Sequence, residues 1–522
     1  MKPTAPLLSP LSQWNLAAIN NNPFEYWLTH PDASYGELMS GVQGFIEAPG
    51  ENDVAVGEVF TSKMFDELNG LMDGMEGWGC AEEVKAAYEA LADRKIVSGF
   101  LKDADLGSKR LMSMPDRMTN TVDLANGNTA YRPSVISSFA GDMLTTEAWW
   151  AAWKSFMFER PLELAKAKGA KLPAALLTTI PRSKYPALSE EEEAMSLRLQ
   201  TVCLAIFDAI LVHMLRTLSP DGKWLELKRQ IVRALLEQKE AKTIAVLTGP
   251  YARTSLLFLQ EVRTASATKS LPAALPEYVV AAPAKPSRAD QNSVICLSRA
   301  AFDAASVADV TTDALALLPA EGTQPADGDL LVITASDRNG RAYLLASFHG
   351  DTDGLATAPT LHAVHALSLT LPSHRLVFGL DANTYAEAKP LKQASAESFV
   401  ADVRAKNLAT TSGDTRQLTT YNARTYLQPQ LQKACGAAQM KERGDCNPKD
   451  YILYSPAAHS VVEFGADNTA RRAYDDELVL PTLEWPSDHG LVYSTLLPLE
   501  AGSLPEPKVQ KVEAEEESGS KE

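Results

Sequence analysis

The pattern of hydrophobic positions changes twice along the chain. Residues 12–30 begin like a short apolar strand and continue into a polar, Asn-rich turn. From about residue 35 to residue 240, apolar residues recur three and four positions apart, which is typical of amphipathic helices. After Gly249 and Pro250, short β-rich runs are separated by turn residues. The pattern therefore predicts a mainly helical block followed by a β-rich block.

The β-rich block has the pattern of strands and helices that is typical of a layered sandwich. Its apolar runs are SLLFLQEV, NSVICLS, DLLVITAS, AYLLASFHG, RLVFGLDAN, YILYS, VVEF and LVYSTLL. Helical pieces such as APTLHAVHALSLTL lie between some of them, so an α/β or α+β sandwich is expected. Residues 501–522 are charged and nearly free of apolar side chains, which predicts a disordered acidic tail.

Length and charge narrow the class of protein. A chain of 522 residues exceeds what one hydrophobic core usually supports, so two structural units plus tails are expected. The composition, 45% hydrophobic and 22% charged, is that of an ordinary globular protein. A formal charge of -17 disfavours tight, sequence-independent binding of nucleic acid. A bound metal ion inverts the local field, however, so an acidic protein can still act on a phosphate.

Cysteine usage and hydropathy predict a cytoplasmic protein, with the nucleus or an organelle left open. The five cysteines are scattered without a CxxC motif, so neither a disulfide-linked partner nor a zinc site is expected. The N-terminal segment does not read as a secretory signal. The longest apolar stretch, Leu197 to Leu218, contains Arg198 and Asp208, which predicts a buried or amphipathic helix and no membrane span.

Four of the β-rich runs end in side chains that can bind a metal ion or move a proton. These are Glu261, His349, Asp381 with Asn383, and Asp488 with His489. Hard oxygen ligands such as a glutamate suit Mg²⁺ or Mn²⁺. A carboxylate can orient and deprotonate a water, and a histidine beside an aspartate can stabilise charge on a phosphate. Asp381 and Asn383 are two positions apart, so in an extended chain both face the same side.

Six short motifs resemble the endonuclease/exonuclease/phosphatase superfamily, whose members include deoxyribonuclease I and the apurinic endonucleases. They are QWNL (13–16), LQEV (259–262), SFH (347–349), GLDAN (379–383), KDYIL (449–453) and SDH (487–489). One tetrapeptide is weak evidence, but their order and approximate spacing are those of the family. GLDAN departs from the usual motif by losing an aromatic residue, yet it keeps both chemical groups. The resemblance implies an α+β fold, a four-layer α/β/β/α sandwich like that of deoxyribonuclease I.

The resemblance also implies roles for individual residues. The metal would be bound by Glu261, Asn15 and Asp488, and the catalytic residues would be His349, Asp381, Asn383, Asp450 and His489. Asp381 would position or activate the attacking water, and Asn383 would hold the phosphate. His489 would contact the scissile phosphate and be oriented by Asp450. Asn15 has a second interpretation, an Asx-turn network with the asparagines at 20–22.

The spacing of two motifs predicts how the chain is divided. Asn15 and Glu261 are 246 positions apart, whereas the family normally has only a few tens. The helical block is therefore interpreted as an insertion. The predicted divisions are 10–35 for the first strand and site loop, 36–244 for the insertion, 245–500 for the remainder of the catalytic domain, and 501–522 for the tail.

Four further residues are candidates for substrate binding. Arg117 and Arg132 lie in polar interruptions of the helical block, and Asn422 and Arg424 follow the GLDAN strand. Arginine pairs bidentately with phosphate, but the same residues could instead fix loops and cap helices. The predicted activity is metal-dependent hydrolysis of a phosphodiester by in-line attack of water, with a nuclease first. The alternatives are an enzyme for a small phosphorylated metabolite, inositol phosphate or phospholipid headgroup, and a non-catalytic binding protein on the same fold.

Overall fold

The computed structural model describes residues 10–165, 169–413 and 417–499, so the predicted tail at 501–522 lies outside the described residues. The strands are β1 (Leu11–Asn15), β2 (Thr121–Asp123), β3 (Thr129–Tyr131), β4 (Leu162–Glu163), β5 (Ala170–Lys171), β6 (Leu256–Val262), β7 (Tyr278–Ala281), β8 (Asn292–Ser298), β9 (Ala308–Asp309), β10 (Leu330–Ser336), β11 (Ala342–His349), β12 (Arg375–Asp381), β13 (Ala409–Thr410), β14 (Asp450–Tyr454), β15 (His459–Asp467) and β16 (Leu491–Pro498).

The α-helices are α1 (Ala33–Glu47), α2 (Val56–Val59), α3 (Ser62–Asp73), α4 (Ala81–Ala92), α5 (Ala104–Ser108), α6 (Ser113–Thr119), α7 (Thr146–Lys154), α8 (Glu190–Ala194), α9 (Ser196–Leu218), α10 (Lys223–Val232), α11 (Lys239–Thr248), α12 (Leu271–Ala274), α13 (Thr311–Leu315), α14 (Thr357–Thr370), α15 (Ala396–Ala405) and α16 (Met440–Arg443). Short π-helical segments are Ile96–Leu101, Ser155–Glu159, Arg233–Glu237 and Ser266–Ser270. Short 3-10 turns are Gly50–Asn52, Pro173–Leu176, Ala304–Ser306, Leu431–Lys433 and Ala437–Gln439.

Most of the strands in the described ranges form two six-stranded sheets. The first has the order β15-β16-β1-β6-β8-β7, and the second has the order β13-β14-β12-β11-β10-β9. Within them, β1 pairs in parallel with β6 and β11 pairs in parallel with β12, whereas the other pairings are antiparallel. The parallel pair β11 and β12 is connected by α14, because parallel neighbours need a crossover.

The two sheets pack face to face through a buried apolar layer. Phe258 and Ile295 of the first sheet meet Leu345 and Val377 of the second. The approach is so close at Gly379 that an added Cβ would lie 2.3 Å from a ring atom of Phe258. Helices α14 and α15 cover the outer face of the second sheet, and α11 and α12 cover that of the first. The predicted α/β/β/α sandwich is therefore confirmed.

The N-terminal strand belongs to the first sheet although a long helical part follows it. β1 lies between β16 and β6, and α1 to α11 occur before β6 along the chain. Apart from α11, which covers the first sheet, most of these helices share a core of their own around α9, with Trp149, Trp153 and Trp224 fully buried. Helix α9 is long and apolar enough to cross a membrane, but most of it is buried inside the protein, as predicted for a core helix. The domain divisions given above stay a prediction.

Arg132 lies inside the helical core and not at a surface. Its side chain is 0% exposed, and Nε donates to Asp208 Oδ2 over 2.8 Å. Nη2 donates to Asp116 Oδ1 over 2.6 Å, and Nη1 donates to Thr119 Oγ1 over 2.8 Å. A guanidinium held by two carboxylates in a buried position cannot reach a substrate. The substrate-binding interpretation of Arg132 is therefore wrong.

Candidate active site

Three chemically active residues lie side by side because of strand register. His349 at the end of β11 is the direct partner of Asp381 at the end of β12. Asp381 is in turn the partner of Asp450, the first residue of β14. Neighbouring strands are about 4.8 Å apart, so residues in register present their side chains next to each other on one face. The row lies on the face that meets the first sheet.

The carboxylate of Asp381 is the centre of the cluster. Its side chain is 0% exposed, and Oδ2 accepts a hydrogen bond of 2.8 Å from Asn15 Nδ2. The same oxygen lies 3.7 Å from His489 Nε2 and 3.8 Å from His349 Nε2. Asn15 Nδ2 also lies 3.1 Å from Glu261 Oε1. Five residues predicted for the site are thus brought together from both sheets.

His489 is held by a buried carboxylate. Its Nδ1 lies 2.8 Å from Asp450 Oδ2, and Gln13 Nε2 donates to the other Asp450 oxygen over 2.9 Å. Burial alone would lower the pKa of His489, but Asp450 and Asp381 outweigh burial and hold this pKa well above its ordinary value. The ring is therefore oriented, with Nε2 on the side of Asp381.

The backbone around His489 is fixed by other side chains. Its carbonyl accepts from the indole nitrogens of Trp14, at 3.1 Å, and Trp485, at 2.8 Å. Ser487 Oγ donates to the carbonyl of Asn15 over 2.7 Å and accepts from the backbone N–H of His489 over 3.0 Å. These bonds attach the loop that carries Asp488 and His489 to the end of β1, where Asn15 lies.

A β-bulge presents Glu261. The register of β6 against β8 shifts between Leu259 and Val262, and Glu261 has a left-handed φ of 53°. Its Oε1 lies 3.4 Å from His349 Nε2, and its Oε2 accepts from Gln291 Nε2 over 2.6 Å. The local distortion therefore gives a carboxylate an orientation that regular strand geometry would not provide.

Glu261 and Asp488 border one pocket, named here the inner pocket. Its volume is about 290 Å³, and Glu25 is a third carboxylate in its wall. Burial raises the pKa of Asp488; His489 counteracts this and the neighbouring charge of Glu261 adds to it. Carboxylates that converge on a partly open cavity are the oxygen donors that Mg²⁺ or Mn²⁺ prefers. The residues present fit a divalent cation.

A second acidic group lies beside this pocket. Asp381, Asp450 and His489 offer ligand atoms that all lie within 4.8 Å of one another. This set differs from the predicted metal ligands. Asp450 and His489 already bond to each other, and Gln13 engages the remaining Asp450 oxygen. Geometry therefore favours a hydrogen-bonded aspartate–histidine pair here, and the more open carboxylates of Glu261 and Asp488 stay the candidate metal ligands.

Asn383 does not have the predicted orientation. β12 ends at Asp381, and Asn383 has a left-handed φ of 48°, so the prediction that both side chains share one face of an extended strand is wrong. Its Nδ2 donates to the Gly350 carbonyl over 2.8 Å, and its Oδ1 accepts from Lys449 Nζ over 3.0 Å. Lys449 also pairs with Asp445 at 2.6 Å. The amide is therefore already engaged at the site rim.

The other substrate-binding candidates have different surroundings. Asn422 is buried, and its Nδ2 has no hydrogen-bond partner in the part of the chain that the structure describes. Arg424 lies 2.5 Å from Glu25 and 5.5 Å from the centre of the Tyr26 ring. Arg117 is exposed and lines a second, larger cavity together with Arg424. Arg117 and Arg424 are thus accessible from one cavity.

A buried amide network connects the two sheets beneath the site. Gln13 Nε2 donates to Gln260 Oε1 over 2.7 Å, and Gln260 Nε2 donates to Ser347 Oγ over 3.1 Å. The sequence patterns do not single out Gln13 or Gln260 as site residues. The available signal was a polar residue inside an apolar run, in QWNL and in LQEV. Their contacts with each other and with the second sheet arise because β1 and β6, which are distant in sequence, pair in one sheet.

Lys239 is another residue near the site that the sequence patterns do not single out. This residue begins α11, and its Nζ donates to the carbonyls of Ala17 and Pro486, both over 2.8 Å. Burial lowers the pKa of Lys239 to about 8, with Asp488 and Glu261 acting in the opposite direction. The helical part thereby contacts both loops that carry candidate metal ligands. Nothing in the sequence distinguishes this lysine from other helical lysines.

Comparisons with known proteins give partial likenesses. A family described as "Domain of unknown function (DUF8234)" matches residues 53–229, which lie in the helical part. No curated protein matches the chain. A solved structure of an endonuclease/exonuclease/phosphatase family protein from Bacteroides thetaiotaomicron is similar at 16% identity, 50% coverage of this chain, 89% of that chain and a TM-score of 0.33.

Two further solved structures are similar to this chain at comparably low identity. The catalytic domain of human Nocturnin, with bound sulfate, has 16% identity, 52% coverage of this chain, 89% of that chain and a TM-score of 0.32. ANGEL2, described as a 2',3'-cyclic phosphatase, has 13% identity, 50% coverage of this chain, 86% of that chain and a TM-score of 0.34. The fold itself rests on the sheet order and packing given above.

Proposed function

We propose that this protein is a divalent-metal-dependent phosphoesterase that hydrolyses a phosphate ester by in-line attack of water. One observation carries the proposal. A single buried oxygen of Asp381 lies 2.8 Å from the Asn15 amide and within 4 Å of Nε2 of both His349 and His489. A carboxylate placed between two imidazoles is suited to take a proton from water while the imidazoles stabilise charge on phosphate oxygens.

Each of these residues has one task in the proposed reaction. Asp381 orients the water through Oδ2 and accepts its proton while the water oxygen bonds to phosphorus. The ester P–O bond breaks on the opposite side, and the leaving oxygen takes a proton from solvent. His489, oriented by Asp450, donates from Nε2 to a non-bridging phosphate oxygen, and His349 contacts the phosphate from the other side. Such positioned groups typically contribute 10²- to 10⁴-fold each to the rate. No covalent enzyme intermediate is required, because no side chain attacks phosphorus.

Glu261 and Asp488 would hold the cation, Mg²⁺ or Mn²⁺, with Asn15 beside them. When bound, such an ion neutralises charge on the phosphate and lowers the pKa of a bound water. Gln291 fixes one Glu261 oxygen over 2.6 Å and leaves the other toward His349 and Asn15. The carboxylate is therefore held in place before a ligand binds.

The substrate that we propose first is a nucleic acid, which would make the protein a nuclease. Beside the inner pocket lies a cavity of about 1560 Å³, and the two share Asn20, Asn22 and Glu25 in their walls. A space that continues past the site suits a substrate that continues past the scissile phosphate, as a polynucleotide does. The second candidate is a small phosphorylated compound. It is favoured by the apolar wall that Ile231 and Leu235 give to the inner pocket.

A substrate panel tests the proposal. Wild type and Asp381→Asn would be assayed with Mg²⁺, Mn²⁺ or EDTA on single-stranded DNA, RNA, bis(p-nitrophenyl) phosphate, inositol phosphates and a phosphomonoester. We expect metal-dependent hydrolysis by wild type and a loss of about 10²-fold or more in the variant. Equal inertness of both proteins on the whole panel would favour a non-catalytic binding protein and contradict the proposal.

A further inference from the structure

The large cavity beside the site is lined mainly by the helical part and by residues 424–433. We name as the cationic cleft the part of this cavity formed by Arg110, Arg117, Arg424 and Lys433. Lys102 and Lys184 also line the cavity. The chain as a whole has a formal charge of -17. A concentration of positive side chains in one cavity is therefore opposite in sign to the rest of the molecule.

The acidic side chains of this cavity already have partners. Glu25 pairs with Arg424, Asp103 with Arg94, and Asp116 with Arg132, while Glu47 accepts from the hydroxyl of Tyr426. By contrast, Arg110, Arg117 and Lys433 form no ion pair within the described ranges, and Arg117 and Lys433 are exposed. Of the four cations of the cleft, Arg424 is thus paired with a carboxylate, whereas Arg110, Arg117 and Lys433 have no ion-pair partner among the described residues.

The four cations of the cleft act on one another. Burial lowers the pKa of Lys433, and the neighbouring charges of Arg424, Arg110 and Arg117 lower it further, with Glu25 as the opposing influence. Like charges that converge raise the free energy of the protein unless an anion joins them. Because all four cations line one cavity, the cluster has the electrostatic character of an anion-binding site.

Arg424 connects the cationic cleft to the catalytic cluster. It lies 2.5 Å from Glu25, which borders both cavities. The charge of Asp488, a candidate metal ligand that lines the inner pocket, also acts on Arg424. A substrate bound at the inner pocket can thus continue into the cationic cleft.

We propose that the cationic cleft binds a second phosphate group of the substrate, next to the one that is hydrolysed. This inference rests on the proposed function. Guanidinium groups bind phosphate oxygens bidentately, and lysine adds a point charge. The second phosphate belongs either to the next nucleotide of a nucleic-acid chain or to a small compound with two phosphates. Arg110 and Lys433 are thereby assigned to substrate specificity together with Arg117 and Arg424.

Binding without catalysis tests this inference. The full chain in EDTA would be titrated by calorimetry with hexathymidylate and, separately, with fructose 1,6-bisphosphate. The variant is the double substitution Arg117→Ala/Lys433→Ala. The matched control is Lys63→Ala/Lys85→Ala, which removes the same charge from exposed faces of α3 and α4, outside both cavities.

The inference expects the wild type to bind at least one probe, the cleft variant to bind it at least about tenfold more weakly, and the control to remain within about twofold of wild type. The probe that binds identifies the source of the second phosphate. Equal binding by wild type and cleft variant, or binding of neither probe, overturns the inference. Hydrolysis of bis(p-nitrophenyl) phosphate, which has one phosphate, is measured in parallel. Inertness of the wild type with Mg²⁺ on this compound and on the rest of the substrate panel contradicts the proposed function, whereas the calorimetry still tests phosphate binding by the cationic cleft.

Discussion

Asp450 holds the ring of His489, with Oδ2 of the carboxylate 2.8 Å from Nδ1 of the imidazole. The two residues belong to different sheets, since Asp450 begins β14 of the second sheet and His489 lies in the loop two positions before β16 of the first sheet. Because the carboxylate engages Nδ1, the other nitrogen is left on the side of Asp381, at 3.7 Å. This contact therefore determines which nitrogen of His489 can reach a phosphate.

Asp450→Asn should reduce turnover more than substrate affinity. An amide does not stabilise the charged imidazole, so we expect kcat to fall by about 10²-fold or more while KM changes by less than about threefold. Steady-state kinetics with Mg²⁺ measure both constants. Thermal unfolding of the same variant controls for a general loss of structure. A rise in KM with unchanged kcat would show that Asp450 acts on binding and not on His489.

Lys239→Met should remove the hydrogen bonds by which the helical part holds the two loops next to Asn15 and Asp488. The substitution leaves the carbonyls of Ala17 and Pro486 without their donor, so we expect a loss of about 2–4 kcal/mol in the free energy of unfolding. We also expect kcat/KM to fall at least about tenfold, because the loops beside Asn15 and Asp488 lose a fixed position. The exposed Lys85→Met is the control and should be neutral in both measurements. An unchanged kcat/KM in Lys239→Met would show that this contact from the helical part does not contribute to catalysis.

Arg132→Met should destabilise the protein without a direct effect on substrate. Removing the guanidinium leaves the buried carboxylate of Asp208 without its ion-pair partner, with donors only from Ser134 and Trp153, which costs about 3–5 kcal/mol. Chemical denaturation measures this loss. Arg117→Ala, an exposed arginine of the same helical part, should change stability by no more than about 0.5 kcal/mol. Comparable losses in the two variants would contradict the structural role given to Arg132.

The stability of the protein should decrease in mild acid because of His459. Burial, reinforced by Arg375, lowers the pKa of His459 from 6.5 to about 4. The unfolded chain takes up this proton near pH 6.5 and the folded protein only near pH 4. The free energy of unfolding should therefore fall by roughly 3 kcal/mol across that window and level off below it. His459→Gln should lose this part of the pH dependence in urea unfolding at several pH values. A parallel curve for wild type and variant would refute the assignment.

Sequence motifs predicted the layered fold and the convergence of Glu261, His349, Asp381 and His489. Apolar runs fix where strands occur, and a polar residue at the end of such a run lies at a sheet edge. The register of β11, β12 and β14 then places the side chains together. This part was predictable because the information is local to each motif.

Other features depend on contacts between distant parts of the chain. Gln13 meets Gln260 across 247 positions, and Lys239 meets Pro486 across another 247. Arg132 looked like a surface arginine because its partner Asp208 lies on a helix 76 positions later. The predicted orientation of Asn383 was wrong because the strand ends at Asp381 and the backbone at Asn383 is left-handed. The prediction had assumed an extended backbone through the whole GLDAN motif. In each case a tertiary contact or local strain overrides the local pattern.

The most direct test of a metal-dependent site at Glu261 is the hydrolysis rate measured against Mn²⁺ concentration, for wild type and Glu261→Gln. The substrate is whichever panel compound wild type cleaves fastest. We predict no rate in EDTA, a saturable rise with metal, and a requirement for about ten- to a hundredfold more Mn²⁺ in the variant. A rate that is independent of metal in wild type, or superimposable titrations of the two proteins, would contradict the account.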